Sequence, residues 1–239
     1  MLFRNIKVKV DDNTTSEILQ AFDSEMKLVD LFEKMAGHRL NSNSGLLREF
    51  EGVDGIADIV LFKLYKNYDK NLILGNLSPR WTYALKALPY RRAFDTDSFV
   101  SVTGVSKQTA TSALQEYVKL GFCIRKKDSQ SWIKVKQPIL IAKKIYAIEA
   151  KLKDWKRALK QASRYRDYSN QSWVLLDDYT VKSAIQNIHF FIEANIGLAS
   201  INARGYVNIH FSPHTLEPKS EIRLWQANTE IARRINLAF

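Results

Sequence analysis

The chain has 239 residues, with 36 Lys and Arg against 25 Asp and Glu, a formal charge of +11. That length allows one sizeable core plus a small second domain, and the positive excess points to a polyanionic partner, nucleic acid before membrane. A single cysteine, Cys123, excludes an internal disulfide framework and fits a reducing compartment; no signal peptide or span of transmembrane length is legible, so a cytoplasmic protein with no membrane partner is expected.

In chain order, residues 1–10 alternate like a strand. Thr15 and Ser16 open a helix whose apolar stripe, Ile18, Phe22, Leu28, Val29 and Phe32, runs to about Met35 before Gly37. After a polar loop, residues 46–65 contain a glycine turn, then Asp58, then an apolar run that reads as a buried strand. Glu49 and Glu51 share this segment, and their register is open. Ninety residues separate Asp58 from Glu149, far more than a hairpin needs, so a module is inserted.

The insert predicts helices over residues 80–88 and 97–102, a turn at Gly104, and a helix from Lys107 to Leu120 capped by Ser106 and closed by Gly121. Two strands follow over residues 122–127 and 131–136, joined by a turn at 128–130. Ala110, Ala113, Leu114, Val118 and Leu120 are expected in its core. Next, residues 145–151 form a β-type run, followed by a helix with a cationic stripe of Lys153, Lys156, Arg157, Lys160 and Arg164, and with Trp155, Leu159 and Ala162 facing a sheet. Residues 173–176 read as a strand, 197–201 and 205–211 as a hairpin, and 220–239 as a basic helix. His210 and His214 stand four apart, but Pro213 forbids the helix that would align them for zinc.

Strand alternation puts Glu149 and Lys151 on one side of the sheet and Ile148 and Ala150 on the other. A glutamate there is an oxygen ligand suited to Mg²⁺; a lysine beside it orients or deprotonates a water, or stabilises charge on a phosphate. Alone, Glu-x-Lys is a weak pattern, since most such triplets are a solvated strand edge or an ion pair. Its company adds weight: Gly55 and Asp58 upstream, and Gln161 and Tyr165 one helical turn apart downstream.

In that order, Gly55, Asp58, Glu149, Lys151, Gln161 and Tyr165 resemble the PD-(D/E)xK nuclease superfamily, over about residues 16–73 and 139–212. The family's proline before the aspartate is Ala57 here. The resemblance implies a restriction-endonuclease-like α/β fold with an αβββαβ core and mixed sheet, cutting phosphodiester bonds with Mg²⁺, or Mn²⁺ as a substitute. It implies Asp58, Glu149 and the Ala150 carbonyl as metal ligands, and Lys151, Gln161 and Tyr165 in the active site. An additional acid from the first helix is assigned to Glu25, with Glu17 in reserve.

The insert, over about residues 76–137, resembles a winged helix-turn-helix. In such a module the second helix enters the major groove by its N-terminal residues, here Lys107, Gln108, Thr109, Thr111 and Ser112; glutamine pairs with adenine, lysine with guanine, and hydroxyls take phosphate or a base edge. Arg125, Lys126 and Lys127 lie on the wing, and Lys156, Lys160 and Arg164 offer a second backbone contact. The expected organisation is nuclease core over 1–74, inserted winged-helix domain over 75–138, and nuclease core again over 139–239. The leading expectation is a Mg²⁺-dependent DNA endonuclease acting on duplex DNA, as a homodimer where both strands are cut, in restriction, phage defence or mobile-element processing. The alternatives are a non-catalytic DNA-binding regulator and an interaction subunit on a nuclease fold.

Overall fold

The computed structural model describes residues 21–52, 55–127 and 130–238. The expected first strand, the caps at Thr15 and Ser16, Glu17, and most of the 128–130 turn lie outside the described residues.

The elements begin with α1 (Glu25–Gly37), β1 (Ser44–Gly52) and β2 (Gly55–Leu64). Next come α2 (Pro79–Ala87), β3 (Ala93–Phe94), α3 (Thr96–Thr103), α4 (Lys107–Lys119), β4 (Cys123–Arg125) and β5 (Trp132–Lys134). The chain continues through β6 (Ala142–Lys151), α5 (Trp155–Arg164), β7 (Gln171–Asp177), α6 (Lys182–Gln186), α7 (Ile188–Ala194), β8 (Gly197–Ile201), β9 (Val207–Phe211) and α8 (Glu221–Ala238). These elements make an α/β protein with two compact units. One takes the described residues up to Leu64 and Lys143–Ser220; the other takes Tyr65–Ala142 and α8.

The first unit is built on a mixed six-stranded sheet in the order β1-β2-β6-β7-β8-β9. The outer pairs β1/β2 and β8/β9 are antiparallel, whereas β6, β7 and β8 run parallel, with α5 as the crossover between β6 and β7. α1 starts at Glu25 rather than near residue 16, because Ser24 is the cap: its side chain accepts from the Lys27 N–H at 3.2 Å. Phe22 thus precedes the helix, its N–H donating to Asp177 Oδ2 at 2.8 Å. Leu28, Val29, Phe32 and Ala36 of α1 pack on Ile59, Leu61, Ile148, Ala150, Trp173, Leu175, Ala199 and Ile201. With that face of β6 filled by Ile148 and Ala150, the pleat turns Glu149 and Lys151 to the other face. α5 buries Trp155, Ala158 and Ala162; Ala158 takes the place expected of Leu159, which is half-buried.

The second unit is wider than the insert read from sequence. The last helix belongs to it, not to the sheet unit: Thr82 and Thr229 share a buried hydroxyl contact of 2.7 Å, Asn236 donates to the Leu72 carbonyl at 2.9 Å, and Asn228 Oδ1 accepts from the N–H groups of Ile141 and Ala142. A three-stranded antiparallel sheet, β3-β5-β4, packs beside α2, α3 and α4. Asp95 caps α3 through the Ser98 N–H at 2.8 Å, and Gly104, at φ 70°, ends it in the left-handed region. Ser106 then caps α4 as expected, accepting from Thr109 N–H at 3.3 Å. Ala110, Ala113 and Leu114 are buried. Val118 is instead 37% exposed and Leu120 half-buried, because Tyr117 takes the inward position and packs edge-on against Phe99.

Lys134, 1% exposed, donates to the Leu85 and Lys86 carbonyls at the C-terminal end of α2. Burial pushes its ammonium down to about 8, from the ordinary 10.5. Between those pH values the unfolded chain binds a proton that the native chain lacks, so stability rises with pH. Cys123, pushed up to about 12 by burial, acts oppositely above its ordinary 9.0, which leaves pH 7 to 8.5 as the clean window. The unfolding free energy from urea titrations should rise by about 1 kcal/mol across that window, and Lys134→Met should abolish the rise.

Candidate active site

Glu149 and Lys151 lie at the end of β6, with Asp58 on β2 beside them. The Ala150 N–H donates to Asp58 Oδ2 at 2.7 Å, fixing the aspartate against the neighbouring strand. Glu149 is 1% exposed. Lys151 Nζ lies 2.7 Å from Glu149 Oε1, 2.9 Å from the Ala150 carbonyl, 3.4 Å from Glu25 Oε2 and 3.8 Å from Asp58 Oδ2. Glu149 Oε2 lies 2.5 Å from the Tyr165 hydroxyl, which is also 2.7 Å from the Ile56 carbonyl. Five expected site residues, Glu25, Asp58, Glu149, Lys151 and Tyr165, with the Ala150 carbonyl, therefore meet in one place.

The electrostatics follow from three carboxylates sharing one ammonium. Burial holds the Glu149 carboxyl above its usual range, against the Lys151 and Tyr165 hydrogen bonds that favour its anion. The Asp58 carboxyl is likewise raised by burial, then by Glu25 and Glu49, while the Ala150 N–H and Lys151 oppose. For Lys151, burial works against the charge, but the Glu149 bond and the charges of Glu149, Asp58 and Glu25 prevail, so the ammonium is held above its usual range. Lys151 is thus held as an ammonium at neutral pH.

The β1/β2 register, fixed by Arg48↔Ile59 and Phe50↔Ala57, places Glu49 opposite Asp58. Glu49 has φ 45°, an uncommon conformation for a glutamate. Nothing in the sequence flagged this; an alternation rule gives no sign of a positive φ. Glu51 pairs with Ile56 instead.

Among the described residues, no three His, Cys, Asp or Glu side chains converge as a ready-made metal cage. The donors here are carboxylate oxygens and a backbone carbonyl, hard ligands of the kind Mg²⁺ accepts alongside its own waters. They already gather around one cation, the Lys151 ammonium, and carry a surplus of negative charge, so the residues fit a divalent metal.

Gln161 lies one turn before Tyr165 on α5; its Oε1 is shielded from solvent and has no hydrogen-bond partner among the described residues. On α5, Lys156, Arg157, Lys160 and Arg164 are all exposed, as is Lys153, which precedes the Asp154 cap and so lies before the helix, not on its stripe. Lys156 lies 5.6 Å from the Trp155 ring centroid.

In the second unit, Lys107, Gln108 and Ser112 are exposed and Thr109 and Thr111 half-buried at the start of α4. Lys107 is paired with Asp97 at 2.8 Å. The Thr111 and Ser112 hydroxyls donate back to the Lys107 and Gln108 carbonyls, leaving their lone pairs for an incoming donor. A cleft of about 310 Å³ runs along Gln108, Thr109 and Ser112 and includes Arg80, whose guanidinium sits 4.3 Å from the Trp81 ring centroid. Arg80 was not singled out in the sequence, where it read only as a helix residue. Arg125, Lys126 and Lys127 are exposed at the end of β4.

No family model, no curated protein and no solved structure matches this chain. Function therefore has to be read from the site itself.

Removing the shared cation tests the electrostatic account. Lys151→Ala should destabilise the metal-free protein by roughly 3 kcal/mol at pH 7 in urea unfolding, because Glu149 is left buried without its counter-charge. The loss should shrink as the pH is lowered, because Asp58 and Glu149, both raised above the usual carboxylate range by burial, take up protons earlier than exposed carboxylates; a loss that stays equal as the pH falls would refute the account.

Proposed function

We propose that the protein is a Mg²⁺-dependent DNA endonuclease of the PD-(D/E)xK kind, with its second unit acting as a winged helix-turn-helix that positions duplex DNA. The observation that carries this reading is the Asp58, Glu149 and Lys151 cluster, gathered from two strands that the chain separates by most of the second unit. The order α1-β1-β2-β6-α5-β7 agrees with an αβββαβ core, and the order α2-β3-α3-α4-β4-β5 agrees with a winged helix. Both agreements support the reading.

Asp58, Glu149 and the Ala150 carbonyl would hold Mg²⁺, or Mn²⁺ in its place, which when bound lowers the pKa of a water and offsets charge on the phosphate. Lys151, held protonated, donates toward the attacking water or a phosphate oxygen. Tyr165 fixes the Glu149 carboxylate through its hydroxyl, and Glu25 keeps the ammonium close to Asp58. Gln161 offers its shielded carbonyl oxygen to a donor on the substrate or its water. The exposed Lys156, Lys160 and Arg164 follow a phosphate backbone, while Gln108, Thr109 and Ser112 with Arg80 read base edges. Lys107 and Thr111 flank them, and Arg125, Lys126 and Lys127 take the backbone beside the wing. Cutting both strands calls for two such sites, hence a homodimer. Restriction, phage defence or mobile-element processing in the cytoplasm is the setting, by analogy of the parts.

Among the described residues no helix is long and apolar enough to cross a membrane.

Supercoiled plasmid with Mg²⁺ or Mn²⁺ should be nicked or linearised by the wild-type protein and by neither Lys151→Ala nor Asp58→Ala, with rates down by at least about 10²-fold. Both variants should still bind duplex DNA; binding without cleavage in the wild type would favour a regulator instead. The salt dependence of duplex affinity provides a second check. Each of Lys156→Ala, Lys160→Ala and Arg164→Ala should lower the slope of log K against log salt by about 0.9, and an unchanged slope would remove that face from the interface.

A further inference from the structure

Tyr168 stands directly behind the carboxylate cluster, outside every motif in the sequence. It is 5% exposed, and its hydroxyl is shielded from solvent without a hydrogen-bond partner among the described residues. Its ring packs 5.7 Å from Phe50 and 6.0 Å from Tyr165, centroid to centroid. The end of β1 closes over it: a Cβ at Gly52 would lie 3.1 Å from the Tyr168 ring. Glycine at 52 therefore lets the β1/β2 strand pair, which carries Asp58, sit directly on the two tyrosines.

An unpartnered buried hydroxyl is costly, and a phenylalanine would fill the same space without that cost. Among the described residues no protein group partners the Tyr168 hydroxyl, and a water needs only a small polar niche with two or more partners. The Tyr168 ring lies against that of Tyr165, whose hydroxyl bonds Glu149, and the Tyr168 phenol senses the Glu149 charge after the larger effect of burial. We propose that Tyr168 is a positioning residue for Glu149, acting through an ordered water that its hydroxyl holds against the Tyr165 and Glu149 pair. The inference rests on the metal-binding reading of that carboxylate. Tyr165 fixes one oxygen of Glu149 from the helix side; Tyr168 completes the support from behind, so that the carboxylate keeps one rotamer as it exchanges the Lys151 ammonium for a metal.

Tyr168→Phe removes one oxygen and no packing surface, so the outcomes separate cleanly. The melting temperature of the metal-free variant and its Mn²⁺ affinity by titration calorimetry are measured beside the wild type, together with plasmid cleavage. The expected result is a melting temperature lower by about 2–4 °C and Mn²⁺ binding weaker by roughly 10-fold, the size of effect seen when a partner of a metal ligand is lost. A melting temperature that is unchanged or raised shows that the hydroxyl holds nothing, and overturns the proposal. A lower melting temperature with equal Mn²⁺ affinity makes Tyr168 a purely structural residue and also overturns it. Wild-type protein that binds Mn²⁺ yet leaves plasmid intact counts against the nuclease reading alone.

Discussion

One ammonium among three carboxylates is the constraint around which the sheet unit is organised. Lys151 stands within 4 Å of Glu25, Asp58 and Glu149, and each of those comes from a different element: α1, β2 and β6. A carboxylate as deeply buried as Glu149 is tolerated only with a counter-charge and hydrogen bonds, and it has both, from Lys151 and Tyr165. The arrangement is therefore structural and chemical at once. It fixes the first helix and the adjacent strands β2 and β6 relative to one another, and it leaves more negative charge than positive at a single point. That surplus is what a divalent cation would relieve, which is why raised carboxyl groups and a firmly protonated lysine belong to the same description.

Much of this centre was legible because it depends on short-range rules. Period-two alternation suffices to put Glu149 and Lys151 on one face, and the glycine turn before an apolar run suffices to place Asp58 on a neighbouring strand. Period 3.6 aligned Gln161 with Tyr165. The failures came where tertiary packing decides between residues that local rules treat alike. Ala158 rather than Leu159 takes the fully buried position on α5, and Tyr117 rather than Val118 points inward, its hydroxyl reaching the Trp81 carbonyl at 2.7 Å. The fate of the last helix was also hidden: an amphipathic stripe says that a partner exists, not which unit supplies it. Tyr168 and the positive φ at Glu49 left no local signature at all.

The second unit shows the same division. Its helix ends are written in caps, Asp95 before α3, Gly104 after it and Ser106 before α4, each a side-chain or backbone requirement visible in the sequence. Its least expected feature, Lys134, is a cation spent on a helix end instead of on solvent. A basic residue on a strand facing a wing would ordinarily be assigned to phosphate, yet this one is sealed inside and satisfies two α2 carbonyls. Counting positive charge in the sequence therefore overstates the cationic surface of this unit, and the paired Lys107 and Lys86 reduce it further.

That reduction bears on how the two units would divide the work of binding a polyanion. The stripe on α5 has four exposed cations on one short helix, whereas the start of α4 offers mainly neutral hydroxyl and amide groups, with its one lysine already engaged by Asp97. Neutral donors and acceptors discriminate between base edges but contribute little long-range attraction; exposed cations attract any phosphate backbone but discriminate poorly. On the proposed reading this chemistry would separate affinity from selectivity, with attraction concentrated on α5 and discrimination on α4. Such a chain would gain little from α4 on a random sequence and would be held by α5 wherever a backbone passes, so selectivity would have to come from how long the α4 contacts hold a particular sequence, not from how strongly the molecule is first drawn to nucleic acid.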